Sequence, residues 1–308
     1  MVKKNPEIEI IVTQGPYSTF LEEVAKVSLV SGIRLNTIMP IKEGRREEKL
    51  REMHALVKPK NLWVDLKARQ LRIREFANTP YTAVTISHRI KVNLPAIAYF
   101  DNGHLTGKIV DLDGHKLIIE DYIGRLLGPG ESVNIVDESL EYLDSEILTP
   151  LDETYVDLCR QIGLPHYMLS FVESPKDVAL LKARHPGSMV MAKIENLKGL
   201  AHLPEIAAEA DFIMAARGDL YTEIAYPHEI GEVLEKIFRT APDKAVIGSR
   251  ILESLLRHPV PSCADMMDLN YLIHMGYRRF LIGDDLCFKK DLLMKAMRIF
   301  AGISKSLL

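Results

Sequence analysis

The chain has 308 residues, 47% of them hydrophobic and 26% charged, with a formal net charge of −3. That is enough for one large barrel with a small insertion or for two ordinary domains, and it gives no reason to expect nucleic acid or an anionic membrane as a partner. No run approaches the ~18 apolar residues of a membrane span, Met1 to Glu9 is charged without a signal-peptide core, and Cys159, Cys263 and Cys287 are too scattered for a metal site, so free thiols in a reducing, cytoplasmic setting are expected.

Along the chain, short apolar runs alternate with amphipathic stretches. Strands are predicted at Ile8–Thr13, Ile33–Met39, Leu62–Leu66, Tyr167–Val172, Ser188–Glu195, Phe212–Ala216, Ala245–Ser249 and Arg279–Ile282. Helices are predicted at Thr19–Ser31, Glu43–Val57, Asp152–Ile162, Pro175–Arg184, Pro204–Ala210, Pro227–Thr240, Ser262–Met275 and Phe288–Ile303. Gly163 and Gly276 sit where helices should stop, and Ser262 with Asp265 marks a helix start. Eight strands alternating with helices favour a (β/α)8 TIM barrel. The rhythm breaks between Ile73 and Ile135. There, β-like runs are separated by Asp101-Asn102-Gly103 and Asp113-Gly114, which are hairpin turn signals. The expected organisation is a barrel from 1–72 and 136–308, with a small all-β lid, 73–135, inserted after the third strand.

Two strand ends carry the chemistry. One closes on Lys193, Glu195 and Asn196, the other on Arg217, Gly218 and Asp219. Lys193 and Glu195 are two apart, so on a strand they share a face. Charges buried where apolar strands stop are costly unless paired. Glu195 and Asp219 could together hold Mg²⁺ or Mn²⁺, with Lys193 facing an anionic substrate. The alternative is a plain salt bridge from Lys193 to either carboxylate. Gly218 before a helix start leaves backbone N–H groups for a carboxylate or phosphate, unless it is a simple turn.

These residues resemble the pyruvate kinase family. Lys193-Ile194-Glu195-Asn196 and Ile213 to Leu220, with Arg217-Gly218-Asp219, are similar to its signature. Gly248 to Ser254 resembles the family's Ala-Thr-Gln-Met-Leu-Glu-Ser, and Asp65 to Arg72 its Asp-Thr-Lys-Gly-Pro-Glu-Ile-Arg. Weaker echoes lie at Thr13–Ser18, Leu148–Asp152, Ser170–Val172 and Pro259–Asp265. The matches are in order and span almost the whole chain. The resemblance implies that Lys193 stabilises the transferring phosphoryl group and the enolate oxygen, and that Glu195 and Asp219 hold Mg²⁺ or Mn²⁺. It implies further that Gly218 and Asp219 take the substrate carboxylate, that Ser249 serves proton transfer, that Ser170 lies near the substrate phosphate, and that Arg72 lies near the nucleotide phosphates. Phosphoenolpyruvate or pyruvate, ADP or ATP, and assembly as a homo-oligomer follow as expected partners.

The departures matter too. Arg34-Leu35-Asn36 matches the family's phosphate-clamping segment on the second strand, but about three residues too close to Gly32. Anchoring on Gly32 puts Thr37 and Met39 in those places instead. Leu66 and Gln70 replace a threonine and a glutamate tied to K⁺, which leaves K⁺ use open. The Ser-Gly-Glu-Thr-Ala segment is reduced to Ile282-Gly283-Asp284-Asp285-Leu286, and the resemblance stops with the eighth helix, so the family's C-terminal domain is not expected in this sequence. Three functions follow. The first is a pyruvate kinase-like phosphotransferase, with Arg34 among its substrate-binding residues. The second is a divalent-metal enzyme that enolises, decarboxylates or cleaves 2-oxo acids. The third is a non-catalytic relative that binds a metabolite or protein.

Overall fold

The computed structural model describes residues 8–144, 147–224 and 226–306; the charged residues 1–7 lie outside it. The first three barrel strands are β1 (Glu9–Thr13), β2 (Val30–Asn36) and β3 (Asn61–Leu66). An inserted β region follows: β4 (Val84–Thr85), β5 (Ile90–Lys91), β6 (Ala96–Phe100), β7 (Leu105–Asp113), β8 (Lys116–Ile119), β9 (Asn134–Ile135) and β10 (Glu141–Tyr142). The barrel resumes with β11 (His166–Leu169), β12 (Met189–Ile194), β13 (Phe212–Ala216), β14 (Ala245–Gly248) and β15 (Arg279–Ile282). The barrel strands are parallel and close in the order β1-β15-β14-β13-β12-β11-β3-β2. Helices such as Arg46–Val57, Pro150–Ile162, Pro175–Arg184, Ile230–Thr240 and Cys263–Met275 surround it. This is the expected (β/α)8 barrel with an all-β insertion after the third strand.

Two cores hold the barrel. The outer faces of the strands pack against the helices through Ile10, Leu35, Leu62, Tyr167, Ile213 and Phe280. A second cluster fills the interior: Ile11, Trp63, Met168, Met191, Met214, Val246 and Leu281. Successive strand residues point to opposite faces, so residues two and four positions beyond an interior residue also point inward. Met191 therefore sets Lys193 and Glu195 inward, Trp63 sets Asp65, Met168 sets Ser170, and Ile11 sets Thr13. An apolar layer thus floors the cleft, and charged residues stand above it at the C-terminal mouth, where such barrels keep their sites.

The insertion has its own core, including Ile73, Val84, Ile86, Ala98, Phe100, Ile109, Leu117, Leu127 and Ile135. It forms one five-stranded sheet in the order β4-β8-β7-β6-β9 and a two-stranded pair, β10-β5.

β2 departs from the pattern. It runs from Val30 to Asn36, three residues earlier than the hydrophobic run suggests. Gly32 lies inside the strand: a Cβ there would sit 2.9 Å from Cδ1 of the Trp63 indole. The glycine marks a close approach, not a strand start. The first helix is also shorter, Leu21–Ala25, and the stretch after β12 splits into Leu197–Ala201 and Leu203–Glu209.

Candidate active site

A cleft of about 310 Å³ opens at the barrel mouth under the lid. Lys193, Glu195, Gly218, Asp219, Ser249, Arg34 and Arg72 all line it. Of the residues predicted to be catalytic, substrate-binding or metal-binding, Ser170 alone does not. Its side chain is fully buried, behind the lysine, and its Oγ accepts from Lys193 Nζ at 2.8 Å.

Lys193 is 6% exposed. Its Nζ also lies 3.1 Å from Glu195 Oε1 and 3.5 Å from Asp65 Oδ1. Burial would push its ammonium down, but Asp65 and Glu195 hold it above the ordinary lysine value. Glu195 stands one residue past β12, and its Oε2 accepts from Phe171 N at 2.8 Å. Burial pushes its carboxyl up; Lys193 opposes this, while Asp219 adds repulsion. Asp219 lies in the short helix Arg217–Glu223 that follows β13, the strand beside β12. Gln70 Nε2 donates to Asp219 Oδ2 at 2.8 Å, and Gln70 Oε1 accepts from Arg72 Nε at 3.1 Å. Arg72 also reaches the lid, with Nη1 2.8 Å from Gly130 O.

A divalent cation fits here by the chemistry of the donors. Glu195 and Asp219 offer hard carboxylate oxygens that repel each other across one cleft. Mg²⁺ and its analogues take one or two carboxylates and keep the remaining positions for water and substrate oxygens. Among the described residues no set of three or more His, Cys, Asp or Glu is placed to enclose a metal. An ion held by this pair would therefore keep positions open to substrate.

The wall from β1, β2, β3 and β15 holds a second network. Arg34 Nε and Nη2 donate to Asp65 Oδ2, while Nη1 donates to Thr13 Oγ1 and to Asp284 Oδ1. Asn36 Nδ2 donates to Asp284 Oδ2 at 2.8 Å. Arg34 and Asn36 thus take the mouth positions of β2, while Thr37 turns away and donates to Asp65 O at 2.7 Å. Burial alone would raise the Asp65 carboxyl, but Arg34, Lys193 and Lys67 hold it well below the usual carboxylate range. Lys67, buried against Asp65 and surrounded by other cations, is pushed down to about 7.

Sequence patterns singled out neither Asp284 as a partner of Arg34 nor Arg250 as part of the cleft. Ser249, Arg250 and Leu252 have φ of +67°, +54° and +55°, a left-handed region that non-glycine residues occupy at a cost. Arg217 braces this turn, donating to Ser249 O at 3.0 Å, Arg250 O at 2.8 Å and Asp268 Oδ1 at 2.7 Å.

The chain also matches known proteins in sequence. The family model described as "Pyruvate kinase, barrel domain" matches residues 79–277. The chain belongs to the pyruvate kinase family. It is 25% identical over 339 residues to the pyruvate kinase of Thermotoga maritima, covering 96% of this chain and 70% of that enzyme. It is 27% identical over 315 residues to the pyruvate kinase of Methanocaldococcus jannaschii, covering 94% and 67%. It is 23% identical over 222 residues to the pyruvate kinase of Buchnera aphidicola subsp. Acyrthosiphon pisum, covering 68% of this chain and 45%, less than half, of that enzyme. Pyruvate kinase relatives thus extend across nearly the whole of this chain, barrel and lid together. Among the described residues no helix is long and apolar enough to cross a membrane.

Proposed function

We propose that this pyruvate kinase relative transfers a phosphoryl group between phosphoenolpyruvate and a nucleoside diphosphate. The convergence of Lys193, Glu195 and Asp219 on one cleft carries the reading. Glu195 and Asp219 would hold Mg²⁺ or Mn²⁺, which supplies charge neutralisation for phosphate and enolate oxygens. Lys193 Nζ, fixed by Ser170 and Asp65, would meet charge that develops on the transferring group, and Ser249 stands at the mouth to pass a proton. Arg72 would meet nucleotide phosphates. Phosphoryl transfer is largely positioning and electrostatic stabilisation, and these groups would supply both. A second, apolar pocket of about 320 Å³ lies between Pro16, Tyr17, Phe20, Met39, Pro40 and Phe288. Gln14 Nε2 ties its loop to Cys287 O at 2.9 Å, at the end of the short helix Asp284–Cys287 whose Asp284, Asp285 and Leu286 line the main cleft, so a planar nucleotide base has an apolar place to rest.

One observation favours a second reading. Arg34 is already met by two carboxylates, Asp65 and Asp284, which suits a substrate without phosphate, such as a 2-oxo acid that is enolised, decarboxylated or cleaved. The assay that decides uses purified protein, Mg²⁺ or Mn²⁺, phosphoenolpyruvate and ADP. Pyruvate and ATP are the expected products, and Lys193→Met should lower turnover about 100-fold or more. No turnover by the wild type, across several nucleotides and K⁺ levels, would sink phosphoryl transfer. Loss of methyl deuterons from labelled pyruvate would then support the second reading.

A further inference from the structure

The cleft is rich in acid. Glu195, Asp219, Glu253, Asp284 and Asp285 line it, and most of its cations are already spoken for. Arg34 is shared by Asp65 and Asp284. Lys193 is shared by Glu195 and Asp65. Arg72 gives its Nε and Nη2 to Gln70 and its Nη1 to Gly130 O. Arg250 differs. It lines the same cleft, yet among the described residues no carboxylate lies within 4.0 Å of its guanidinium. Its partners are main-chain carbonyls and a ring. Nε donates to Arg217 O at 3.1 Å, and Nη2 reaches Asn102 O at 3.3 Å and Gly218 O at 3.5 Å. The guanidinium carbon sits 4.7 Å over the Tyr221 ring. Nη1 makes no hydrogen bond to a described residue.

We propose that Arg250 binds the carboxylate of the substrate, beside Gly218 and beneath the lid turn at Asn102. This rests on the reading of the cleft as a metal-dependent site for an enol or 2-oxo acid, and it adds the residue that recognises the acid group. Three physical points support it. A half-buried cation without a counter-ion is stabilised by an incoming anion far more than one already paired. Carbonyls and an aromatic face hold the guanidinium without neutralising it, so its planar fork is pre-organised for a carboxylate. The backbone of Arg250 is held in the left-handed region, φ +54°, and such strain persists where surrounding contacts over-determine a functional position.

Oxalate with Mn²⁺ is the probe, because it offers carboxylates and no phosphate. By titration calorimetry, Arg250→Gln should bind oxalate about 10- to 100-fold more weakly than the wild type, the loss that removal of a charge-assisted hydrogen bond implies. Mn²⁺ alone should bind within about twofold of the wild type, and Arg250→Lys, which keeps the charge without the fork, should fall between. Thermal unfolding of each variant reports folding, and the lysine variant carries the test if the glutamine variant unfolds. Wild-type oxalate affinity in folded Arg250→Gln overturns the assignment, and so does equal loss of Mn²⁺ and oxalate. A wild type that binds Mn²⁺–oxalate but never makes ATP removes phosphoryl transfer and leaves Arg250 in place. A wild type that binds no oxalate overturns both.

Discussion

Arg217 is 6% exposed, and its guanidinium spends its donors on the carbonyls of Ser249 and Arg250 and on Asp268. Those carbonyls belong to a turn whose φ values would relax without a brace. Arg217→Met leaves buried acceptors unmet and should destabilise the protein by about 1–3 kcal/mol. It should also lower turnover and weaken Mn²⁺ binding, because Arg250 of the turn donates to Arg217 O and Gly218 O, the residues that lead into Asp219. Urea unfolding with a Mn²⁺ titration checks both parts; unchanged stability would count against the brace. Lys193, Glu195 and Asp219 were legible in the sequence because strand periodicity alone sets them on one face or at one strand end. Arg34 with Asp284, and Arg217 with the turn after β14, were not. Each of those pairs meets only when the barrel closes β15 against β1 or sets β14 beside β13, and no local spacing encodes that meeting.

Elements that obey a simple period were readable, and those shaped by a neighbour were not. The helix Pro175–Arg184 follows its pattern to the residue. β2 does not, since the Trp63 indole decides where Gly32 must lie. The helix Pro150–Ile162 starts two residues before its apolar pattern because Thr149 and Asp152 form a reciprocal cap: Thr149 Oγ1 accepts from Asp152 N at 3.1 Å, and Asp152 Oδ2 accepts from Thr149 N at 3.0 Å. The same carboxylate accepts from Lys67 N at 2.9 Å and Ala68 N at 3.0 Å, where the chain leaves β3 for the lid. One fully buried side chain therefore pins both ends of the insertion to the barrel. Asp152→Ala removes the cap and strands two buried N–H groups. The expected loss is about 2–4 kcal/mol in denaturant unfolding, above the ~1 kcal/mol of an ordinary cap. A loss no larger than an ordinary cap would mean that the lid's two ends are held elsewhere.

At the scale of the whole molecule, the seam between lid and barrel buries a charge-bearing side chain. Glu223, at the end of the helix that carries Asp219, accepts from Asn134 Nδ2 of lid strand β9 at 3.0 Å. Burial drives its carboxyl up to about 8; the Asn134 hydrogen bond opposes this, and Asp219, Glu173 and Glu195 add repulsion. An unfolded glutamate titrates near 4.5. Between about pH 4.5 and 8 the folded protein therefore holds a proton that the unfolded chain has lost. Stability should be greatest, as far as this group is concerned, below that window, and should fall as pH rises through it. The size is bounded by about 1.4 kcal/mol for each pH unit crossed. Lys67 works the other way but only above its value of about 7; Glu195, which burial also pushes up, and the histidines pushed down by burial titrate in the same range, so Glu223 is separated by comparison with a variant that cannot ionise. Glu223→Gln keeps an oxygen for Asn134 and cannot ionise. In urea unfolding at pH 5 and pH 7 the wild type should lose stability relative to this variant, and the gap should widen with pH. Parallel curves would show that Glu223 carries its charge at neutral pH and that the lid rests on the barrel over an ionised seam.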